Sequence, residues 1–123
     1  MKLQLTLGGT EARFTGYGDG YVAVNGQRYE RNILLAPGRD VTAWEVAGFD
    51  ALTAGDFESL LALGPEIVIF GAGETLRFPR PELTRALAEA RVGLEVMDTR
   101  AACRTYNILL SEGRKVVAAI LLR

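Results

Sequence analysis

A short glycine turn, Gly71-Ala72-Gly73, is the first feature of the sequence that could support chemistry. It follows an apolar run, and turns at the carboxyl end of a buried parallel strand commonly line ligand crevices. Glycine has no Cβ, so the backbone of such a turn can approach a ligand or a partner closely. The dinucleotide-binding motif requires a third glycine where Leu76 stands. A structural turn, a binding loop and a nucleotide site all remain open.

A second cluster of polar groups occupies residues 98–107. Asp98 and Thr99 are suited to cap the start of a helix, and Arg104 and Asn107 follow within that helix. A helix N-terminus attracts anions, although the carboxylate of Asp98 would itself occupy that position. Asparagine disfavours a helix interior, which indicates a specific hydrogen bond from Asn107 to a neighbouring loop or to a ligand. We favour the neighbouring loop.

The single cysteine, Cys103, lies beside Arg104 in the same predicted helix. A helix N-terminus and a nearby guanidinium both lower the pKa of a thiol and favour a nucleophile. The sequence contains no histidine to act as a base and no second cysteine to resolve a disulfide. We therefore expect Cys103 to be a buried packing residue, and we expect no catalytic residue in the chain.

Charged residues next to these elements allow two interpretations. Glu112 and Arg114 follow the last predicted helix and form either a turn with solvated charges or an ion pair that holds the loop edge. Arg77, Arg80 and Arg85 follow the glycine turn and could hold a carboxylate or phosphate through paired hydrogen bonds. A solvated face of a helix and its entry loop is the interpretation that we favour for these three arginines.

The composition excludes several classes of function. The 123 residues are 49% hydrophobic and 24% charged, as in one globular domain spanning 1–123. The net charge of −1 carries no basic surplus, so we expect no nucleic-acid partner. With no histidine and one cysteine, we expect no metal site and no cofactor. No apolar run can cross a bilayer and no signal peptide begins the sequence, so we expect a cytoplasmic protein without a membrane span.

The elements that must position these groups change character halfway along the chain. The first half predicts short strands at 13–17, 21–24, 27–29, 33–36 and 40–44. Asn25-Gly26 predicts a type I′ hairpin between two of them. A capping box, Thr53 to Asp56, begins the first predicted helix, and Gly64-Pro65 ends it.

The second half alternates strands and helices. It predicts strands at 67–70, 94–97 and 116–122, a helix from Pro81 ended by Gly93, and a second helix from Asp98 or Thr99. A β-α-β-α-β order gives parallel strands. The fold class is therefore α/β with α+β character, an antiparallel N-terminal meander joined to a parallel core. The glycine turn and the start of the last helix should face one crevice at the same sheet edge.

Four stretches of the sequence resemble a known family: 69–73, 95–99, 101–107 and 112–119. They are similar to the uncharacterised-domain family that includes mitochondrial complex I assembly factor 3 and the adipogenesis-associated Mth938 domain-containing protein. The resemblance covers roughly Phe14 to Leu122. It implies a three-layer α/β fold, a crevice without an established reaction, and action through other proteins. The family often has threonine where this chain has Ala72, so we expect no ligand contact through that hydroxyl.

Two functions follow from these observations. The favoured one is a non-enzymatic protein-interaction module that assists assembly of a respiratory or other multiprotein complex, with protein partners and a homodimer as compatible arrangements. The alternative is a binder of a small anion or nucleotide-like ligand, or an enzyme, that uses the crevice. The candidate residues for the crevice and its surroundings are Gly71, Ala72, Gly73, Asp98, Thr99, Arg104, Asn107, Glu112 and Arg114.

Overall fold

The computed structural model describes residues 11–123 and contains two sheets. The first is antiparallel and has three strands: β1 Phe14–Gly18, β2 Tyr21–Val24 and β3 Gln27–Tyr29. The second has the order β5-β4-β8-β6-β7 and is built from β4 Ile33–Leu35, β5 Thr42–Ala43, β6 Ile67–Ala72, β7 Gly93–Met97 and β8 Val116–Leu121. The helices are α1 Ala54–Glu58, α2 Pro81–Glu89 and α3 Thr99–Ser111, with 3₁₀ turns at Phe49–Ala51 and Ser59–Leu63.

The predicted parallel core is confirmed. Strand β6 pairs in parallel with β7 on one side and with β8 on the other. The antiparallel half departs from a single meander, because β1–β3 form a sheet of their own and only β4 and β5 extend the core. The small sheet lies over α3, where the ring of Phe14 meets the ring of Tyr106 edge to face at 5.5 Å. Packing against this helix therefore separates β1–β3 from the larger sheet.

The five-stranded sheet is buried on both faces. Alternate residues of β6 and β8 point to opposite sides, and every residue of β8 is at most 1% exposed. One side packs against α3 and the small sheet through residues that include Ile69, Ala118 and Ile120. The other side packs against the α1 and α2 region through Val68, Phe70 and other apolar residues. This double coverage explains the continuous apolar runs, which are typical of buried parallel strands.

Most helix boundaries follow the predicted signals. The capping box at Thr53 is present, and Gly64 ends the following 3₁₀ turn in the left-handed conformation with φ 70°. The expectation that Gly93 ends the second helix is wrong. Helix α2 ends at Glu89, Arg91 takes the left-handed conformation with φ 59°, and Gly93 begins β7. Gly93 is the first residue of β7 because its N–H donates to the carbonyl of Glu66 at 3.0 Å, which begins the pairing with β6.

Cys103 is a packing residue between α3 and the sheet. Its side chain is 1% exposed and belongs to the apolar cluster on the α3 side. Burial raises the pKa of this thiol to about 12, even though the charge of Arg104 acts in the opposite direction. Desolvation therefore outweighs the neighbouring cation, and the thiolate needed for nucleophilic chemistry is suppressed.

We predict that native Cys103 reacts with a thiol reagent at neutral pH only when the protein unfolds. Its pKa rises from 9.0 in the unfolded chain to about 12 in the fold, so its contribution to stability is complete below pH 9 and declines as the pH rises toward 12. Cys103→Ser should lower the free energy of unfolding by about 1–2 kcal/mol. Denaturant titration and timed labelling measure both effects, and rapid stoichiometric labelling of the native protein would contradict the packing role.

Candidate functional site

The glycine turn and the start of α3 meet at the carboxyl edge of the parallel strands. The N–H of Gly73 donates to Oγ1 of Thr99 at 3.0 Å, and the N–H of Thr99 donates to the carbonyl of Gly73 at 2.9 Å. The Thr99 hydroxyl in turn donates to the carbonyl of Leu121. Thr99 is 8% exposed. Its hydroxyl therefore uses its donor and one of its two acceptor positions for the protein backbone on the inside of this edge.

Gly71 and Ala72 belong to β6 and lie on opposite faces of the sheet. A Cβ at Gly71 would stand 3.0 Å from both Cδ1 of Ile120 and Oγ1 of Thr99. The glycine is thus explained by the close approach of α3 to the sheet, where a side chain would force the two apart. The Ala72 side chain is fully buried on the other face, against the α1 and α2 region.

Arg77 locks the turn from the other side. Its guanidinium donates to the carbonyl of Ala72 and, at 2.9 Å, to the carbonyl of Arg123. It also lies over the ring of Phe49, 4.6 Å from the ring centre. Gly73 has φ 104°, and a Cβ there would meet the backbone of Arg123 at 2.6 Å. Arg77, which the sequence offered as an anion-binding residue, here binds carbonyl oxygens of the chain itself.

The two polar side chains further along α3 both attach the small sheet. The Asn107 amide accepts from the N–H of Phe14 at 3.0 Å and donates to the carbonyl of Phe14 at 2.7 Å. This pairing is a specific backbone hydrogen bond of the kind that asparagine inside a helix indicates. Exposed Arg104 donates to the hydroxyl of Tyr17 at 2.7 Å. Both residues therefore bind β1, on the outer side of α3.

The remaining candidate residues lie at the two ends of α3. Asp98 caps its start by accepting from the N–H of Ala101 at 3.0 Å. Glu112 and Arg114 lie at the far end, where Arg114 pairs with Glu66 at 3.2 Å and not with Glu112. The Glu66 carboxylate also accepts from the N–H of Lys115 at 2.9 Å. The Lys115 and Arg114 hydrogen bonds hold the pKa of Glu66 below its ordinary value.

The candidate residues are thus spread over three places. The glycine turn, Asp98 and Thr99 share the carboxyl edge, Arg104 and Asn107 face β1, and Glu112 and Arg114 lie at the opposite end. A cavity of about 430 Å³ opens beside the turn and is lined by Asp19, Gly20, Glu74, Thr75, Arg77 and Arg123. Across residues 11–123, no group of three acidic, cysteine or histidine side chains is arranged to hold a metal ion.

Sequence reasoning missed the exposed apolar side chains of the loop between β6 and α2. Phe78 is 68% exposed and Leu76 is 53% exposed, whereas Arg77 between them turns inward to its carbonyl partners. The signal available in the sequence is an alternation of apolar and basic residues immediately before two prolines, Pro79 and Pro81. A third large apolar side chain, Ile108, is 59% exposed on α3.

Fold and site define an α/β protein whose polar groups at the carboxyl edge bind its own backbone. Residues 14–121 match the family described as "Protein of unknown function (DUF498/DUF598)", and the chain belongs to this family. A relative from Bos taurus, named NADH dehydrogenase (ubiquinone) 1 alpha subcomplex assembly factor 3, is 35% identical over 100 residues. The match covers 80% of this chain and 54% of that relative, so the chain spans about half the length of the assembly-factor relative.

Solved structures share the fold. A crystal structure of a Bordetella parapertussis protein superposes with a TM-score of 0.87 and 41% identity, covering 92% of this chain and 97% of that one. A solution structure of a Bordetella pertussis protein, described as a Mth938-like domain, superposes with a TM-score of 0.81 and 34% identity, covering 98% of this chain and 92% of that one. The predicted mixed α/β fold and family are confirmed. In the described part of the chain, no helix has the length and apolar character needed to span a bilayer.

We predict that Gly73→Ala costs at least twice as much stability as the matched variant Gly38→Ala. Both glycines have positive φ, 104° and 72°, so both variants carry about 1 kcal/mol of backbone strain. A Cβ at Gly73 also meets the backbone of Arg123 at 2.6 Å, whereas a Cβ at Gly38 meets nothing within 4 Å. Urea unfolding measures the difference, and equal losses would show that the turn is not packed against residue 123.

Proposed function

We propose that the chain is a non-enzymatic protein-interaction module that assists the assembly of a multiprotein complex. The observation that carries this proposal is the exposure of Phe78 and Leu76, at 68% and 53%, on one short loop. Large apolar side chains presented together on a surface mark sites of protein association, and aromatic residues dominate the binding energy of such sites.

The loop is fixed before any partner arrives. Arg77 ties its middle to the carbonyls of Ala72 and Arg123, and Pro79 and Pro81 restrict the backbone that follows. A preorganised loop loses little conformational entropy on binding, so more of its contact energy appears as affinity. Phe78 and Leu76 thus have the properties of a docking surface, which we call the Leu76/Phe78 loop.

The relatives support the same proposal. Curated relatives from Bos taurus and Homo sapiens carry the name of a complex I assembly factor, at 35% and 32% identity over 100 residues. We therefore propose that the complex assembled is a respiratory complex or a comparable assembly, and that this chain works in the cytoplasm. The partner is another protein, docked through the Leu76/Phe78 loop.

The small-ligand alternative is less supported, because most hydrogen-bonding groups at the carboxyl edge are already paired within the protein. The donors and acceptors that such a ligand would need at the carboxyl edge are the Gly73 N–H, the Thr99 hydroxyl and the Arg77 guanidinium. Each already bonds to the protein, and the buried Nε of Arg77 is the donor among them that has no partner within residues 11–123. The Asn107 amide is likewise paired with β1. We therefore carry the interaction module forward as the proposed function.

We predict that Phe78→Ser lowers partner capture at least about tenfold, as expected for an aromatic residue at the centre of a protein interface. The matched control is Ile108→Ser, which removes an apolar side chain of similar exposure, 59%, from α3 and should leave capture unchanged. Tagged variants are used to capture proteins from the source cell, and recovered proteins are quantified by mass spectrometry. Thermal melting of the same preparations shows that both variants fold.

Two outcomes would contradict the proposed docking surface. Capture that survives Phe78→Ser in a folded protein removes the loop from the interface. Equal loss in the Phe78→Ser and Ile108→Ser variants shows that general surface hydrophobicity, and not this loop, holds the partner.

A further inference from the structure

Within residues 11–123 four strands lie at the sheet edges, and three of them are closed to further pairing. Strand β5 has two residues and β3 has three. On β1 the Asn107 amide occupies both the N–H and the carbonyl of Phe14, and the register shifts between Phe14 and Gly16. Proteins block exposed edges in these ways because an open edge pairs with any available strand.

The fourth edge strand, β7, carries none of these protections. It spans Gly93–Met97, contains neither proline nor lysine, and pairs with β6 in an unbroken register. The Gly93 N–H donates to the carbonyl of Glu66, the residue just before β6. In a parallel strand, every second residue directs its N–H and carbonyl to the same neighbouring strand, so Gly93, Glu95 and Met97 bond to β6. Leu94 and Val96 therefore point their N–H and carbonyl groups away from the sheet. Within residues 11–123 these groups have no hydrogen-bond partner.

We propose that β7 pairs antiparallel with β7 of a second copy of this chain, across a twofold axis at Leu94. The two five-stranded sheets then form one continuous sheet. Symmetric pairing across a twofold axis is the commonest way in which identical chains associate. This inference goes beyond the proposed function, since it uses a surface separate from the Leu76/Phe78 loop.

Charge and side-chain pattern select the register. An axis at Glu95 would place two glutamates directly opposite each other, with their Cβ atoms about 5 Å apart, and like charges in that position are unfavourable. With the axis at Leu94, each Glu95 faces Gly93 of the other copy, which has no side chain to oppose it. On the other face of the sheet, Leu94 then lies opposite its own copy and Val96 opposite Val92. The Val92 N–H already donates to the carbonyl of Leu87 at 2.9 Å, so this pair forms only the hydrogen bond from the Val96 N–H to the Val92 carbonyl. The half-buried apolar row of one chain thereby continues into that of the other.

The experiment compares the oligomeric state of the full chain with that of two variants at Val96. Sedimentation over an about fifty-fold range of concentration should show the mass approaching twice 13.3 kDa as the concentration rises. Val96→Pro removes an N–H that does not bond to β6, so this variant should fold, with a melting temperature lowered only by the lost packing of the valine side chain, and remain monomeric. The control Val96→Thr keeps the N–H and the side-chain shape, and it should dimerise.

Hydrogen exchange provides a readout that does not depend on any variant. The amides of Leu94 and Val96 should exchange at least about tenfold more slowly at the highest concentration than at the lowest, while those of Glu95 and Met97 are protected throughout. A native protein that stays monomeric, or amides of Leu94 and Val96 that exchange equally fast at all concentrations, would overturn the proposal. Dimerisation of a folded Val96→Pro variant would also overturn it.

Two comparisons separate this inference from the proposed function. Phe78→Ser should dimerise normally, because Phe78 lies on the Leu76/Phe78 loop and not on β7. If the native chain is monomeric and Val96→Pro loses a captured partner, the edge binds a strand of that partner and pairing with a second copy is wrong.

Discussion

The Thr99 hydroxyl holds together three backbone segments that the rest of the structure depends on. It accepts the Gly73 N–H after β6, donates to the Leu121 carbonyl of β8, and belongs to the first turn of α3. One hydroxyl thus satisfies two backbone groups at this edge, the Gly73 N–H and the Leu121 carbonyl. Each such group, if buried without a partner, would cost about 1–3 kcal/mol of stability. Asp98 caps α3, and the Thr99 hydroxyl ties this first turn to the sheet, so together they position the helix whose Asn107 holds β1 of the small sheet.

The packing that closes the carboxyl edge of the sheet also determines which side chains of the following loop are exposed. With Gly73 packed against Arg123, the loop that follows runs close to the end of β8, where Arg77 reaches two backbone carbonyls. Arg77 points inward to these carbonyls, while Leu76 and Phe78 on either side of it are exposed. The interactions that fill the carboxyl edge are thus also the interactions that expose the side chains of the Leu76/Phe78 loop.

The parallel core could be predicted from the sequence because the patterns that mark its strands and helix starts lie within short segments of the chain. Continuous apolar runs mark β6 and β8, and Asp98 caps α3 as predicted. The separate small sheet depends on a hydrogen bond between Asn107 and Phe14, 93 residues apart, which no local pattern encodes. The ion-pair partner of Arg114 and the inward turn of Arg77 likewise depend on residues distant in the chain. Local propensity therefore predicts the elements, and long-range hydrogen bonds decide how the edge is closed.

Amide hydrogen exchange at Gly73 tests the closure of this edge most directly. If the Thr99 hydroxyl holds the Gly73 N–H, that amide exchanges about as slowly as the amides within β6. In Thr99→Val it should exchange at least about tenfold faster, whereas Thr99→Ser, which keeps the hydroxyl, should preserve the protection. A native Gly73 amide that exchanges as fast as that of exposed Glu74 would contradict the closure and leave the carboxyl edge open as a crevice.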